Sequence, residues 1–431
     1  MSILIKNGHV VDPATNRDGI FDILIEDGKI TKVASSIEDK AKSVIDAKNK
    51  IVTPGLIDMH THLREPGRED KETILTGARA AVKGGFTSIA AMPNTQPACD
   101  NQSVAKLIIE KAESAKLCNI FPIGALTKGR VGVELSEMGE LKNAGCVAFS
   151  DDGDTIQDAA LMRRALEYAS MQGIPVISHC EDKNLSRDGV MHEGFISTIL
   201  GLRSIPAQAE TIIIERDIEL AKIAGTKLHI AHVSAKESVE IIKEAKKRKI
   251  PITAEVTPHH VALNETYLKT YDTSMKVNPP LRTVEDQEAL KKALKDGTID
   301  IIATDHAPHT ENEKDVEFDS APFGMIGLET ALSICIMELI DTNILTWKDL
   351  VEKLSVNPSK ILNLKRGTLK EGAIADVTII DPKKEWVYKK ENIESKSSNS
   401  PFARKKLKGV ATDVIVGGEI VLREEKFTNN N

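Results

Sequence analysis

Residues 51–63 read IVTPGLIDMHTHL, an apolar run of strand length that ends in two histidines. Side chains two positions apart on a strand point the same way, so His60 and His62 face one side together. The same design recurs along the chain, where eight apolar runs of strand length alternate with amphipathic stretches of helical length. The runs span residues 51–63, 87–94, 119–127, 146–152, 174–181, 227–234, 252–260 and 299–309, and the clearest helical stretches are 155–171, 209–224 and 236–249.

Eight strand–helix units predict an α/β fold, a TIM (β/α)8 barrel, with a doubly wound open sheet as the competing architecture. The polar residues favour the barrel, because at least six of the eight runs carry His, Asp or Asn at the end or within two residues of it. In a (β/α)8 barrel these strand ends converge at one face, where active sites lie.

The two ends of the chain have a different texture, with short apolar runs separated by turn signals. Asn7-Gly8 follows the first run and Asp27-Gly28 follows the run 23–25, and both dipeptides are typical of hairpins. Each end is too short to form a stable sheet alone. We therefore predict that residues 1–52 and 366–431 form one small β-sandwich domain, and that residues 53–365 form the barrel.

Composition argues against several classes of protein. The chain of 431 residues has a net charge of −7 and only 3% aromatic residues, which gives nucleic-acid binding little support. Its five cysteines are scattered without a CxxC pair, as is typical of a reducing compartment. No stretch approaches the roughly 18 uncharged apolar residues that a membrane helix needs. We expect a cytoplasmic protein that acts on a small molecule and contacts neither nucleic acid nor membrane.

Metal-ligating residue types gather at the ends of the predicted strands. His179, His232, Asp152 and Asp305 end further runs, and imidazole and carboxylate are ligands for zinc and related divalent ions. Four histidines with Asp305 exceed the needs of one tetrahedral zinc that keeps an open position. The sequence therefore predicts Zn²⁺, one or two ions per subunit with two favoured. Asp152 is the candidate bridge between them, and Asp151 is the alternative.

Four segments resemble the signatures of a known family. They are DMHTHLREPG at 58–67, ATDHAPH at 303–309 with Lys314 beyond, AMPN at 91–94 and VNPP at 277–280. Together they resemble the dihydroorotases of the amidohydrolase superfamily, and most closely the type I bacterial class. The resemblance covers nearly the whole chain, including the divided β domain.

That resemblance implies the reversible zinc-dependent cyclisation of N-carbamoyl-L-aspartate to L-dihydroorotate in de novo pyrimidine (UMP) biosynthesis. It places His60, His62 and Asp305 on one zinc, His179 and His232 on the other, and Asp152 between them. Many members of the superfamily bridge the metals with a carbamylated lysine, but residues 146–152 contain no lysine. This departure argues against hydantoinase and dihydropyrimidinase, and it leaves the occupancy of the second metal open.

Asp305 is the predicted catalytic residue, a ligand through one oxygen and a proton shuttle to the leaving ring nitrogen through the other. Dihydroorotate carries a carboxylate, which arginine binds in planar bidentate geometry, so Arg64 is the predicted partner. The full set of predicted substrate contacts is His62, Arg64, Asn94, Asn278, His309, Phe323 and Gly324.

Two other functions stay open at this point. An allantoinase or hydantoinase would act on rings without the carboxylate. A non-enzymatic partner of aspartate transcarbamoylase should have lost metal ligands, and all are present here. A homodimer is a family-level expectation, and an association with aspartate transcarbamoylase is left undecided. His259 and His260 are kept as candidates for lining the site, whereas His306 should turn away from it.

Overall fold

The computed structural model describes residues 2–428. The strands are β1 Ser2–Asp12, β2 Arg17–Glu26, β3 Lys29–Ala34, β4 Ser43–Asp46, β5 Ile51–Pro54, β6 Leu56–Thr61, β7 Phe86–Ala91, β8 Asn119–Pro122, β9 Val176–Ser178, β10 Met191–His192, β11 Ser204–Ile205, β12 Leu228–Ile230, β13 Ile252–Val256, β14 Ile301–Ile302, β15 Val377–Val387, β16 Lys406–Val416, β17 Glu419–Arg423 and β18 Lys426–Phe427. The helices are α1 Ile74–Lys83, α2 Gln102–Ala115, α3 Met138–Ala144, α4 Ala159–Gln172, α5 Lys183–Ser186, α6 Phe195–Leu200, α7 Gln208–Ala224, α8 Lys236–Lys247, α9 Pro258–Ala262, α10 Val284–Asp296, α11 Glu311–Lys314, α12 Leu328–Cys335, α13 Trp347–Val351 and α14 Asn357–Ile361.

Parallel strands form a nearly closed barrel, which confirms the predicted (β/α)8 architecture. Strands β6, β7 and β8 form one arc, and β9, β12, β13 and β14 form the other. The fourth predicted run forms no regular strand, but Phe149 bridges Gly124 on one side and Val176 on the other. A bridge between Thr61 and His306 joins the two remaining edges. The barrel therefore follows the predicted order of units.

The first predicted run divides into two strands that belong to different sheets. Strand β5 pairs with β1 and β15 in the terminal sheet, whereas β6 pairs with β7 in the barrel. The break falls at Gly55, where an added Cβ would lie 2.0 Å from Thr87 Oγ1. Only glycine permits the chain between β5 and β6 to approach β7 this closely.

The strands of both chain ends form the predicted small β domain. They are hydrogen-bonded in one sheet of nine strands rather than two separate ones, in the order β18-β17-β16-β15-β5-β1-β2-β3 with β4 on β1. Strand β5 connects the two halves of the sheet, because it pairs with β1 of the N-terminal part and with β15 of the C-terminal part. Ile5, Val52, Ile379 and Ile415 are fully buried in its shared core. The domain boundaries at residues 52 and 366 stay a prediction.

One of the two predicted turns is wrong. Strand β1 does not turn at Asn7-Gly8 but continues through it with a β-bulge. Glycine is needed there for packing against β5, because a Cβ on Gly8 would lie 2.4 Å from Val52 Cγ2. The Asp27-Gly28 hairpin between β2 and β3 is confirmed, and both residues have positive φ, 48° and 78°. Among residues 2–428, no helix is long and apolar enough to cross a membrane.

Candidate metal centre and substrate pocket

The predicted metal ligands meet at the carboxyl end of the barrel strands. His60 lies within β6 and His62 just beyond it, His179 follows β9 directly, and His232 and Asp305 lie two and three residues beyond β12 and β14. Asp152 follows the bridged segment around Phe149. All six residues are buried. A TIM barrel places catalytic groups from different strands at this face.

Asp152 lies between two pairs of histidines. Its Oδ1 is 3.3 Å from His60 Nε2, 3.7 Å from His232 Nε2 and 3.8 Å from His179 Nδ1. Its Oδ2 is 3.4 Å from His62 Nε2. Asp305 Oδ1 lies 2.9 Å from His62 Nε2 and 3.5 Å from His60 Nε2. A carboxylate in the position of Asp152 can bridge two cations.

The cluster fits a divalent metal ion. Two groups have their ligand atoms within 4.8 Å of one another, His60 with Asp152 and His232, and His60 with His62 and Asp305. His60 Nε2 and Asp152 Oδ1 are buried and have no hydrogen-bond partner among the described residues. Unpaired buried polar atoms are costly, and a cation between them removes that cost. The donor set of imidazoles and carboxylates is the kind that zinc binds.

In three of the four histidines, the ring nitrogen that points away from Asp152 is held by a neighbouring side chain. His60 Nδ1 contacts Glu255 Oε1 at 2.5 Å, His62 Nδ1 contacts Asn94 Oδ1 at 2.8 Å, and His179 Nε2 contacts Glu181 Oε2 at 3.0 Å. Because these oxygens accept, each ring carries its hydrogen there and turns its other nitrogen toward the cluster. Such outer partners orient metal ligands and make them more basic.

Sequence reasoning missed Glu255 and Glu181, although each left a signal. Glu255 is a fully buried charge in the otherwise uncharged strand β13, and it also contacts His229 Nε2 at 3.0 Å. Glu181 lies two residues after His179, and on an extended chain such residues share a side. The alternative bridge Asp151 is used elsewhere, because its Oδ1 accepts from Leu126 N at 2.8 Å.

A cavity of about 310 Å³ opens beside the cluster. All seven predicted substrate contacts line it, namely His62, Arg64, Asn94, Asn278, His309, Phe323 and Gly324. Lys183 and Arg187 also line it, and the sequence had not indicated them. A larger cleft of about 530 Å³ lies between α12 and the terminal sheet and holds none of the predicted residues.

The side of the cavity at Arg64 is cationic. Arg64 Nε donates to Pro308 O at 3.2 Å, which leaves the terminal nitrogens of the guanidinium for a ligand. Burial lowers the pKa of Arg64 to about 10, so the group stays charged at neutral pH. Burial and then the nearby charges of Arg64 and Lys71 lower the pKa of His309 to about 2, so its ring is neutral there.

Two of the other histidines near the site, His260 and His306, have structural contacts. His260 is held by Thr257 Oγ1 at 2.7 Å and Pro279 O at 3.0 Å. His306 turns away from the cluster, as expected, and contacts Glu72 Oε2 at 3.2 Å. His259 Nε2 is buried without a hydrogen-bond partner among the described residues, so a role in lining the site stays a prediction for it.

Comparison with known proteins decides the family. Residues 49–238 match a family model described as Dihydro-orotase-like. A dihydroorotase of Pelotomaculum thermopropionicum is 53% identical over 425 residues, which cover 98% of this chain and 99% of the relative. A dihydroorotase of Endomicrobium trichonymphae is 55% identical over 422 residues, with 98% and 99% covered. The chain belongs to the dihydroorotase family.

As a member of the dihydroorotase family, the chain is a cyclic amide hydrolase. Its fold is shared beyond that family. The L-hydantoinase (dihydropyrimidinase) of Arthrobacter aurescens has a TM-score of 0.90 at 23% identity, over 99% of this chain and 97% of that one. A D-hydantoinase structure has a TM-score of 0.84 at 26% identity, over 99% and 96%. The fold of this chain is therefore shared with hydantoinases.

Proposed function

We propose that this member of the dihydroorotase family interconverts N-carbamoyl-L-aspartate and L-dihydroorotate with bound zinc. One observation carries the proposal: Arg64, Asn94 and His309 line the same cavity as the ligands Asp152 and Asp305. Both forms of this substrate carry a carboxylate near the reacting amide, and the rings of hydantoin and allantoin do not. A buried guanidinium beside the cluster suits the former substrate.

The metal would be held by residues from five barrel units. We propose His60, His62 and Asp305 on one zinc, His179 and His232 on a second, and Asp152 between them. The unpaired atoms His60 Nε2 and Asp152 Oδ1 support this assignment. Ions bound there activate water at neutral pH and polarise the amide carbonyl.

The chain's own residues orient the substrate. Arg64 binds the carboxylate through its terminal nitrogens. Because Asn94 Oδ1 accepts from His62, Asn94 keeps its Nδ2 free to donate to the same carboxylate. Asn278 Nδ2 donates to Glu181 Oε2 at 3.0 Å, so Asn278 presents its Oδ1 to a ring N–H. Phe323 and Gly324 line the same cavity beside His309, where their backbone groups would contact the ring.

Asp305 moves the proton. In ring opening its carboxylate takes a proton from the attacking water and passes it to the ring nitrogen as the amide bond breaks. In cyclisation the same group carries the proton the other way. Asp305 Oδ1 lies against His62 Nε2 at 2.9 Å, which leaves the second oxygen for this transfer.

The decisive assay compares ring opening of L-dihydroorotate with that of hydantoin and allantoin by the purified, zinc-loaded protein. We expect turnover of L-dihydroorotate to dominate, and metal analysis to find two zinc ions per chain, as in a two-metal hydrolase. Turnover of only hydantoin or allantoin would replace this proposal with the alternative function. We also propose that the protein is a cytoplasmic homodimer. Its mass in solution tests the dimer, and the same measurement with added aspartate transcarbamoylase tests an association with that enzyme.

A further inference from the structure

A buried lysine lies behind the cationic side of the cavity. Lys71, in the loop between β6 and α1, is only 6% exposed. Its Nζ is 3.1 Å from His309 Nδ1 and 2.8 Å from Glu313 Oε1. Its carbonyl oxygen accepts from Ser397 Oγ at 2.7 Å, so the backbone is fixed as well. Lys71 does not line the cavity, and any effect on substrate must pass through a neighbour.

The neighbours of His309 specify where its ring carries hydrogen. A lysine ammonium only donates, so Nδ1 facing Lys71 must accept. A carbonyl oxygen only accepts, and Phe323 O lies 2.8 Å from Nε2, so Nε2 must carry the hydrogen. Arg64 Nη2, 3.4 Å from the same Nε2, is then a contact between two donors and no hydrogen bond.

One group opposes this assignment and is already neutralised. Glu313 Oε2 lies 3.4 Å from His309 Nδ1 and would favour a hydrogen on that nitrogen. Glu313 is, however, paired with Lys71 at 2.8 Å and with Arg68 at 3.1 Å. The closer donor, Lys71, therefore determines the state of Nδ1.

We propose that Lys71 is a positioning residue that holds His309 neutral with its hydrogen on Nε2, so that this hydrogen, which Phe323 O accepts in the absence of substrate, can turn to the substrate carboxylate beside Arg64. This inference rests on the proposed function of the cavity. With the hydrogen on Nδ1 instead, a lone pair on Nε2 would face the carboxylate and repel it. The lowered pKa of His309 agrees with a neutral ring.

The hydrogen on His309 can be observed without any assay of activity. In protein labelled with ¹⁵N at histidine and loaded with zinc, long-range ¹H–¹⁵N spectra distinguish the two neutral tautomers and the imidazolium. A His309→Gln variant assigns the signal among the 11 histidines. We expect a hydrogen on Nε2 only, from pH 6 to pH 8. In Lys71→Met we expect this preference to disappear and the ring to titrate beside Glu313, with Arg64 and Lys314 opposing its charge.

Steady-state kinetics measure the consequence. Lys71→Met should raise KM for L-dihydroorotate about tenfold, the loss of one charge-assisted hydrogen bond, while kcat changes much less. Lys71→Arg keeps a cationic donor and should restore most of the affinity. Lys353→Met is the matched control, because Lys353 is also buried and donates to Ile299 O at 2.8 Å, which precedes β14 at the far end of the barrel. We expect it to leave KM unchanged.

Two results would overturn the inference. One is a wild-type His309 that carries its hydrogen on Nδ1 or is an imidazolium at pH 8. The other is a folded Lys71→Met with unchanged tautomer and KM. If Lys71→Met does not fold, the wild-type spectrum and Lys71→Arg decide the question. A wild-type protein that shows the expected tautomer but no turnover of L-dihydroorotate would contradict the proposed function and leave the role of Lys71 standing.

Discussion

Each histidine of the cluster points one nitrogen toward Asp152, but the choice of nitrogen differs. His60, His62 and His232 turn Nε2 toward Asp152, whereas His179 turns Nδ1. Glu181 explains the difference, because it holds His179 Nε2 from the opposite side. The residue types of this cluster were readable in the sequence. The nitrogen that His60, His62 and His179 each offer depends on a partner that only the folded chain brings into contact with the ring.

We expect Glu255→Gln to weaken zinc binding about 10- to 100-fold. Glutamine has one accepting oxygen and one donating nitrogen, so either His60 or His229 would face a donor. The zinc dissociation constant, measured by competition with a chelator, checks this. Glu240→Gln on the exposed face of α8 is the control. Unchanged zinc affinity in a stably folded Glu255→Gln would contradict the role of Glu255.

Arg64→Met should raise KM for L-dihydroorotate at least tenfold, with a smaller loss of kcat. The physical reason is the loss of a bidentate, charge-assisted contact to the substrate carboxylate. Steady-state kinetics check it. Arg163→Met, which breaks an exposed pair with Glu167 on α4, should leave both constants unchanged. Kinetics of Arg64→Met that match the wild type would mean that the carboxylate binds elsewhere.

At the scale of elements, apolar periodicity predicted the helices and local caps set their ends. The stretch 155–171 became α4, Ala159–Gln172, because Asp158 accepts from Leu161 N at 2.7 Å and Gly173 ends the helix at φ 67°. The barrel strands are shorter than the predicted runs, and β14 has only two residues. An apolar run does not reveal where its hydrogen bonding stops, since that depends on the neighbouring strands.

The end of α1 provides a test of packing between elements. We expect Gly84→Ala to destabilise the protein by about 1–3 kcal/mol, as overpacking does. A Cβ at Gly84 would lie 2.1 Å from Leu328 O at the start of α12. Gly139→Ala, within α3, meets nothing closer than 3.6 Å and should stabilise by about 0.5–1 kcal/mol. Denaturant unfolding measures both, and equal effects would contradict the packing argument.

At the scale of the whole molecule, the C-terminal segment returns to the site. Asn399 Nδ2 donates to Ala307 O and Gly324 O, both at 3.1 Å, and its Oδ1 accepts from His309 N at 3.1 Å. One asparagine from the last part of the chain therefore fixes two predicted substrate contacts. Nothing in the local pattern around Asn399 predicted this contact.

At Glu210, a buried carboxylate joins three successive barrel units, because it pairs with Arg282 and accepts from Ser234 and Ser238. This group should make the stability of the protein depend on pH. Burial alone would raise the pKa of Glu210, but Arg282 and the hydroxyls of Ser234 and Ser238 lower it to about 2. The folded pKa lies below the unfolded value, so the stabilisation is complete above pH 4.5 and is lost as the pH falls toward 2. Between pH 6 and pH 3 we expect a loss of about 2 kcal/mol from this group.

This effect is isolated by the difference in unfolding free energy between wild type and Glu210→Gln. Both proteins are measured with a metal chelator present, so that metal binding does not contribute. The difference should shrink by about 2 kcal/mol between pH 6 and pH 3, because the unfolded wild type binds a proton at this carboxylate in that range while the folded wild type still holds it ionised. Glu219→Gln, which breaks an exposed contact with Arg248, should show a much smaller trend, because solvent screens that contact. A difference that stays constant with pH would mean that Glu210 is not held ionised by its neighbours.

The sequence by itself determined the barrel, the β domain from both ends and the residue types of the metal cluster, because periodicity and strand-end polarity are local properties. It did not determine how the terminal strands join, or that Glu255, Glu181 and Lys71 hold the site. Those features depend on contacts between residues far apart in the chain. His60 and Glu255, for example, are 195 positions apart, yet His60 Nδ1 lies 2.5 Å from Glu255 Oε1. Only the folded chain brings such partners together, and burial then makes their hydrogen bonds specific.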